Sequence, residues 1–519
     1  MNDIVLIRPP MVLSQYSLST SATPPLAIAY LSGFLRGNGF DPQTIDALGE
    51  GLDSFTPIEG TVGIAQGLPI DEIVNRIADD AKIIGYSAMF SSSWTYDKKI
   101  LQSIRDRFPG AIIIAGGEHI SACADYVLTD CSAINICARG EGEETLLDIV
   151  EKIYQKKEWS QVDGISYINN GEVITNPSRS RIRNIDQIPE PYWDNLPIEK
   201  YLSGGYSHGV NIGRSMPLLA TRGCPYRCTF CSSPSMWTTR WEARSPQLVF
   251  DEMVKYIEKY KVDNFDLYDL TAIVKKSWIV EFCDIIIESG KKFTWQLPSG
   301  TRSEAIDEEV VGKLWVSGCR NMNYAPESGS VEVLSRIKKK VSLPKLIDSM
   351  RFSTKRGLSV KMNMIFAFPQ DTPYELWQNF KFGIKCAWLG IEDSTFIPFV
   401  PYPGSELYSD LVSQNKIEPP SDNYFNSLIP FSDLQFAKSY NKHFKDWQLV
   451  WIRYLYFAVF YGVKFLRWPK RPILITKNLL SGKQESRGEE IIKNIINLSS
   501  TFNVMVYRRW SDVNISKRH

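Results

Sequence analysis

Three cysteines, Cys224, Cys228 and Cys231, fall in the single run Cys-Pro-Tyr-Arg-Cys-Thr-Phe-Cys, on a loop opened by Gly223 and Pro225. Thiolates hold soft metals and iron–sulfur clusters. A structural zinc site wants a fourth soft ligand close by, and the nearest candidates are His208 upstream and Cys283 far downstream. A ferredoxin run needs a regular series ending in a fourth cysteine, and neither pattern fits. Three thiolates leave one iron of a cubane cluster without a protein ligand. An open coordination position is what chemistry at a metal requires.

These cysteines directly follow the strand candidate 218–220, the first of six between 216 and about 403. The others are 265–268, 293–295, 321–324, 361–367 and 393–399, separated by helical patterns. The alternation predicts a partial (β/α) barrel with its site at the strand C-termini. Ahead of it, β-branched runs at 4–7, 82–86, 111–115 and 135–138 alternate with helices at 25–38, 96–108 and 143–154. They predict a doubly wound, Rossmann-like α/β domain that binds ligand beyond its strand ends. The residues there are Pro9-Pro10, Ser87, Gly116-Gly117-Glu118-His119 and Gly140-Glu141-Gly142-Glu143, several small enough for close backbone approach to a large ligand. Taken singly, the glycines read as tight turns. An Asn169-Asn170-Gly171 turn marks a β-hairpin, and a proline-punctuated linker follows at 185–191. The domain map is then 1–155, a hairpin and linker at 156–196, the barrel at 197–407, and a mostly helical region at 408–519.

Composition bounds the rest. At 519 residues, 44% apolar and 23% charged, the chain is globular and long enough for about three domains. A net charge of +1 supplies no field that would draw it onto nucleic acid, and Lys338-Lys339-Lys340 reads as a solvated helix end. An odd count of nine cysteines argues for a reducing, cytoplasmic setting rather than a disulfide framework. Cys123, Cys131, Cys137, Cys283, Cys319 and Cys386 are expected to be buried small hydrophobes. The opening MNDIVLIRPP lacks the pattern of a signal peptide. The longest apolar stretch, 454–463, falls short of the roughly 20 residues of a spanning helix. Residues 447–468 are expected to form a helix over the barrel mouth; their aromatic and basic composition permits an interfacial membrane contact, which is not expected. The tail, 514–519, is expected to be frayed.

The Cys-x3-Cys-x2-Cys run, with Phe230 before its last cysteine and set in a partial barrel, resembles the radical S-adenosylmethionine enzymes. That resemblance implies a [4Fe-4S] cluster on Cys224, Cys228 and Cys231, whose unique iron chelates S-adenosylmethionine. One electron then releases a 5′-deoxyadenosyl radical. Glu327-Ser328-Gly329-Ser330, followed by Leu334 and Lys338, resembles a segment of the cobalamin-dependent subgroup, the class B methyltransferases. So do 365–372, with Ala367 and Gln370 where that subgroup usually has glycine, and 398–407. The resemblance assigns Phe230, Asp269, Glu327 and Ser328 to S-adenosylmethionine; of two acidic residues common after the second strand, only Asp269 carries over. Without the resemblance, Glu327 is a carboxylate at a helix N-terminus.

The first domain resembles the subgroup's cobalamin-binding domain through Thr23-Pro24-Pro25-Leu26, Gly116-Gly117-Glu118-His119 and Gly140-Glu141-Gly142-Glu143. It implies cobalamin contacts at Pro10, Thr23, Pro25, Leu26, Ser87, Gly116, Gly117, His119, Gly140, Glu141 and Gly142. The Asp-x-His-x-x-Gly motif is missing: none of His119, His208, His443 and His519 has that spacing. The corrinoid is therefore expected without a protein histidine on cobalt. The resemblance spans roughly 1–410. It implies methylation of an unactivated carbon in a small-molecule or natural-product intermediate, with electrons from a flavodoxin or ferredoxin. Cyclisation, ring contraction or rearrangement without methyl transfer is the alternative, and a zinc-stabilised binding module is the reading from another class.

Overall fold

The computed structural model describes residues 3–17, 22–481 and Glu489. The predicted frayed tail and the rest of the expected C-terminal helical region lie outside the described residues.

The first sheet forms because its strands are continuous apolar runs: Ile4, Val5, Leu6 and Ile7 are all buried, as strands covered on both faces must be. Five strands are parallel, in the order Gln43–Asp46, Ile4–Arg8, Ile83–Ser87, Ile112–Gly116, Ile136–Ala138. The second strand lies outside the first and the later ones on its other side. The order therefore reverses between Ile4–Arg8 and Ile83–Ser87, the switch point where such sheets bind ligands. The edge strand Gln43–Asp46 was not legible, because its run Gln-Thr-Ile-Asp is short and half polar. The predicted hairpin, Ile165–Asn169 with Glu172–Thr175, extends this sheet antiparallel to Ile136–Ala138. A small sheet of Met11–Ser14, Gly63–Gln66 and Phe55–Pro57 lies beside the first domain's strands.

The second sheet has six strands, all parallel and in chain order: Ser215–Leu218, Asn264–Leu267, Thr294–Thr301, Cys319–Glu327, Ser359–Phe366 and Asp393–Pro398. Alternation fixes its sides. Val360, Met362, Met364 and Phe366 are fully buried, while Lys361 lines the lumen with Gln296, Asn323 and Asp393. The segment after helix Ile198–Gly204 plugs the N-terminal half of the barrel. There the Gly209 amide donates to Asp266 Oδ2 at 2.8 Å and the Val210 amide to Gln296 Oε1 at 3.0 Å.

The C-terminal region straps both domains. Tyr424 and Phe425, from helix Asp422–Ser427, pack in the first domain's core, and Asp422 pairs with Lys98 at 2.8 Å. Helix Asp446–Arg467 is longer than the apolar stretch suggested and reaches the length and hydropathy of a spanning helix. It does not cover the barrel mouth. Its Tyr456 ring stacks 3.9 Å from Phe396 on the last strand, so it packs against the outside of the barrel. Its buried side, carrying Tyr456 and Phe460, packs beside helix Pro373–Leu389 through Tyr456 and Phe380, 5.6 Å apart.

Candidate active site

The cysteine loop leaves the first barrel strand through a two-residue ladder, Thr221–Arg222 with Glu242–Ala243. Gly223 turns it at φ +83°, and a Cβ there would stand 2.1 Å from the Arg240 carbonyl oxygen. Cys224, Cys228 and Cys231 are partly exposed and unpaired, whereas the other six cysteines are buried, as expected. Burial pushes the Cys231 thiol up to about 12 and also raises Cys228. Such thiols become thiolates on binding a metal. Among the described residues, no three His, Cys, Asp or Glu side chains converge on one ion; a cubane instead takes its thiolates on separate irons.

The loop is clamped from both sides. The Thr229 amide donates to the Ile337 carbonyl at 3.1 Å, and the Thr229 carbonyl accepts from the Leu407 amide at 2.9 Å. Phe230 packs 5.7 Å from Phe368, in a cluster with Leu334, Ile337 and Phe399. Its ring pins the loop to the barrel's later strands. That gives the 398–407 signature a mechanical meaning: Gly404, at φ +83°, lets Ser235 and Ala122 approach where a Cβ would stand 2.8 and 2.9 Å from them.

Two carboxylates border the loop. Asp269, just beyond the second strand, is buried, and burial raises it to about 6. Its Oδ2 accepts from the Ala220 amide at 3.3 Å, while Oδ1 has no partner. An orphaned buried acceptor is costly unless a ligand satisfies it. Glu327 ends the fourth strand at φ +64°, a left-handed conformation that is uncommon for a residue with a side chain. Its Oε1 lies 2.9 Å from Lys339 Nζ, both side chains nearly buried. Glu327 is therefore not a helix-start residue, since helix Val331–Arg336 is capped by Ser330. Lys339, expected as a solvated helix end, is instead the partner of this carboxylate; Lys338 pairs with Glu406 at 2.7 Å. Ser328 spends its hydroxyl on Asn379 Oδ1 at 2.7 Å. Ala367, where the resemblance expects glycine, sits at φ +59°, so the backbone there asks for the glycine this chain lacks.

In the first domain, Pro10 follows the strand Ile4–Arg8 and Ser87 ends the strand Ile83–Ser87, the two that flank the switch point. The Thr23 carbonyl accepts from Arg8, which also reaches Asp46 and Tyr201. Pro25 and Leu26 open the helix Leu26–Gly37. Gly116 ends its strand, and Gly117, at φ +116°, brings its Cα so near the Ala88 carbonyl that a Cβ would stand 2.4 Å away. His119 is buried between Trp94 and Phe425, at 5.0 and 5.1 Å. Its Nδ1 is 2.9 Å from Ser91 Oγ, and burial lowers its pKa to about 3, so the ring is neutral. Gly140 and Gly142 flank Glu141, whose carboxylate takes the Ile182 amide at 2.9 Å and ion pairs from Arg181 and Arg222.

The two halves meet at the cysteine loop. Ser232, next to Cys231, donates to the Glu118 carboxylate beside Gly117. Arg222, two residues before Cys224, reaches Glu143 at 2.6 Å. Sequence reading placed these elements separately and missed Arg222, Arg181 and Lys339. No local spacing in the sequence marks them, because each is defined by the carboxylate that the fold brings against it.

Residues 19–150 match the B12-binding domain family and residues 218–383 the radical SAM superfamily. The chain is a radical SAM enzyme with a B12-binding domain. It is 28% identical over 450 residues to an uncharacterized methyltransferase of Pyrococcus horikoshii, covering 86% of this chain and 89% of that one. It is 24% identical over 412 residues to an anaerobic magnesium-protoporphyrin IX monomethyl ester cyclase of Rubrivivax gelatinosus, covering 78% and 69%. Its fold resembles that of the radical S-adenosylmethionine methyltransferase TsrM from Kitasatospora setae, solved with cobalamin and a [4Fe-4S] cluster bound. The TM-score is 0.62 at 17% identity, covering 81% of this chain and 80% of that one. A radical SAM enzyme of this kind uses a [4Fe-4S] cluster, S-adenosylmethionine and cobalamin. The unpaired cysteine trio, the orphaned Asp269 oxygen and the glycine turn at the switch-point side of the first sheet fit those three groups.

Proposed function

We propose that this enzyme methylates an unactivated carbon of a small-molecule or natural-product intermediate. The observation that carries this reading is the Ser232–Glu118 contact, which joins the cysteine loop to the loop after the fourth parallel strand of the B12-binding domain. Chemistry begun at one cofactor then has the other within the same chamber. When bound, the cluster with S-adenosylmethionine supplies a hydrogen-abstracting radical and cobalamin a transferable methyl group, chemistry that belongs to the cofactors.

The chain's own residues supply positioning. Cys224, Cys228 and Cys231 are the proposed cluster ligands, with Phe230 holding their loop. Asp269 and Glu327 are proposed acceptors for the polar groups of S-adenosylmethionine, since charge-assisted hydrogen bonds are the stronger ones. Ser328 is proposed as a further S-adenosylmethionine contact, on a turn that Asn379 holds through the Ser328 hydroxyl and the Gly329 amide. Pro10, Thr23, Pro25, Leu26, Ser87, Gly116, Gly117, Gly140 and Gly142 would line the corrinoid. His119 serves that wall as a neutral packed ring, consistent with cobalt lacking an imidazole ligand. Glu141 acts through its arginines as a positioning residue. A flavodoxin- or ferredoxin-type protein is the proposed electron donor.

The test is anaerobic turnover of reconstituted enzyme on extracts of the source cells, with S-adenosylmethionine deuterated at its methyl group. A metabolite that gains the labelled methyl supports methyl transfer. A cyclase among the relatives favours the second reading, and cyclisation consumes S-adenosylmethionine while leaving the product unlabelled. Replacing Cys224, Cys228 and Cys231 by Ala together should abolish bound iron and cleavage of S-adenosylmethionine; a triple variant that still cleaves it refutes the site.

A further inference from the structure

We infer that the outer face formed by helices Pro373–Leu389 and Asp446–Arg467 docks on the surface of a lipid bilayer containing anionic phospholipid. The helices lie side by side. Tyr456 packs 5.6 Å from Phe380 and over Gly383, where a Cβ would stand 2.7 Å from its ring. At the other end, Arg467 lies 5.2 Å over Trp388.

What they turn outward is unlike an ordinary solvated surface. Tyr374, Trp377 and Trp388 of the first helix, and Trp447, Trp451 and Leu455 of the second, are 53–67% exposed. Large aromatic side chains are usually mostly buried, and clustered exposed ones mark an interaction site. The polar residues among them are cationic: Lys381 and Lys385 are exposed on the first helix, and Arg467 and Lys470 at the end of the second. The only acidic residue of the first helix, Glu375, is buried and paired with Arg336 at 2.7 Å. Residues 447–481 contain no Asp or Glu at all.

Two helices from different parts of the chain thus present one composition, tryptophan and tyrosine with lysine and arginine; their two carboxylates are the buried Glu375 and the helix-start Asp446, which accepts from the Ser439 amide at 2.8 Å. Those rings favour the headgroup level of a bilayer, and those cations favour anionic headgroups. Charge also argues against a second copy of the chain, because two such faces would bring like charges together.

Helix Asp446–Arg467 is long and apolar enough to span a membrane, but its inner side forbids it. Arg453 is buried and donates to the Phe436 carbonyl at 3.3 Å and to the Asp433 carbonyl at 2.5 Å. Lys464, also buried, lies 2.9 Å from Glu392. Pulling the helix into hydrocarbon would strand those charges. It lies along the bilayer instead.

The test is co-sedimentation of the full chain with vesicles of phosphatidylcholine mixed with phosphatidylglycerol, against phosphatidylcholine alone. Binding should be about tenfold or more tighter to the anionic vesicles and should weaken as salt is raised. The combined Trp377→Ser, Trp451→Ser and Leu455→Ser variant should lose at least about tenfold in binding to the anionic vesicles, with unchanged iron content and cobalamin binding. Failure of the full chain to bind anionic vesicles overturns the inference, as does binding that survives the substitutions. Sedimentation velocity showing that these substitutions dissolve a dimer overturns it too, and assigns the face to a second copy.

Discussion

Replacing Arg222 by Met should loosen the joint between the B12-binding domain and the barrel. The Arg222 side chain is 5% exposed, and its guanidinium lies 3.3 Å from Glu141 and 2.6 Å from Glu143. The substitution leaves Glu141 with Arg181 and the Ile182 amide, but takes from Glu143 the cation that balances its burial. Breaking such a pair by removing one partner costs about 3–5 kcal/mol. The pH dependence identifies the cause. In the parent protein burial pushes the Glu143 carboxyl up, and Arg222 outweighs it, so that Glu143 titrates below its usual value. Its contribution is present above the ordinary glutamate range and lost as pH falls through the lowered folded value. In the variant burial acts without Arg222 and the carboxyl rises. The penalty is then largest at neutral pH and relaxes on acidification, by about 1 kcal/mol or more between pH 8 and pH 5, since a tenfold change in proton affinity is worth about 1.4 kcal/mol. Urea unfolding followed by tryptophan fluorescence gives the difference at each pH. Adding Glu143→Gln should restore most of the loss at pH 8. A deficit below about 1 kcal/mol, or one equal at both pH values, refutes the buried-pair reasoning.

Glu327→Gln should weaken S-adenosylmethionine binding by about 1–3 kcal/mol, the worth of a hydrogen bond to a charged group, with iron content unchanged; equilibrium dialysis showing parental affinity would leave Glu327 as a partner of Lys339 only. Ala367→Gly should stabilise the enzyme by roughly 1 kcal/mol, because alanine is strained at φ +59°, and an unfolding midpoint that drops would show that the turn is relaxed as it stands. Electron paramagnetic resonance of the cob(II)alamin form should lack superhyperfine splitting from a protein nitrogen, since His119 is packed between Trp94 and Phe425; a split signal would contradict the assignment.

Much of this was legible in the sequence because the signals are local. Strands that are buried on both faces read as uninterrupted apolar runs, and three thiols on one loop are neighbours whatever the fold. The order of the barrel strands follows from their alternation with helices. Tertiary structure decided what depends on contacts between distant residues. The strand Gln43–Asp46 exists because the exposed edge of Ile4–Arg8 pairs with it, not because its own residues favour a strand. Lys339 reads as one of three lysines until the turn after helix Val331–Arg336 carries it onto Glu327. Glu141 reads as a glycine-flanked loop carboxylate until Arg181 from the linker and Arg222 from the barrel close on it. Composition marked 447–468 as an aromatic and basic helix, but only the packing of helix Asp446–Arg467 on Phe396 settled which side is covered and left Trp447, Trp451 and Leu455 facing out. Period and spacing are properties of neighbouring residues, whereas burial of a charge or an aromatic ring is set by whatever the rest of the chain brings against it.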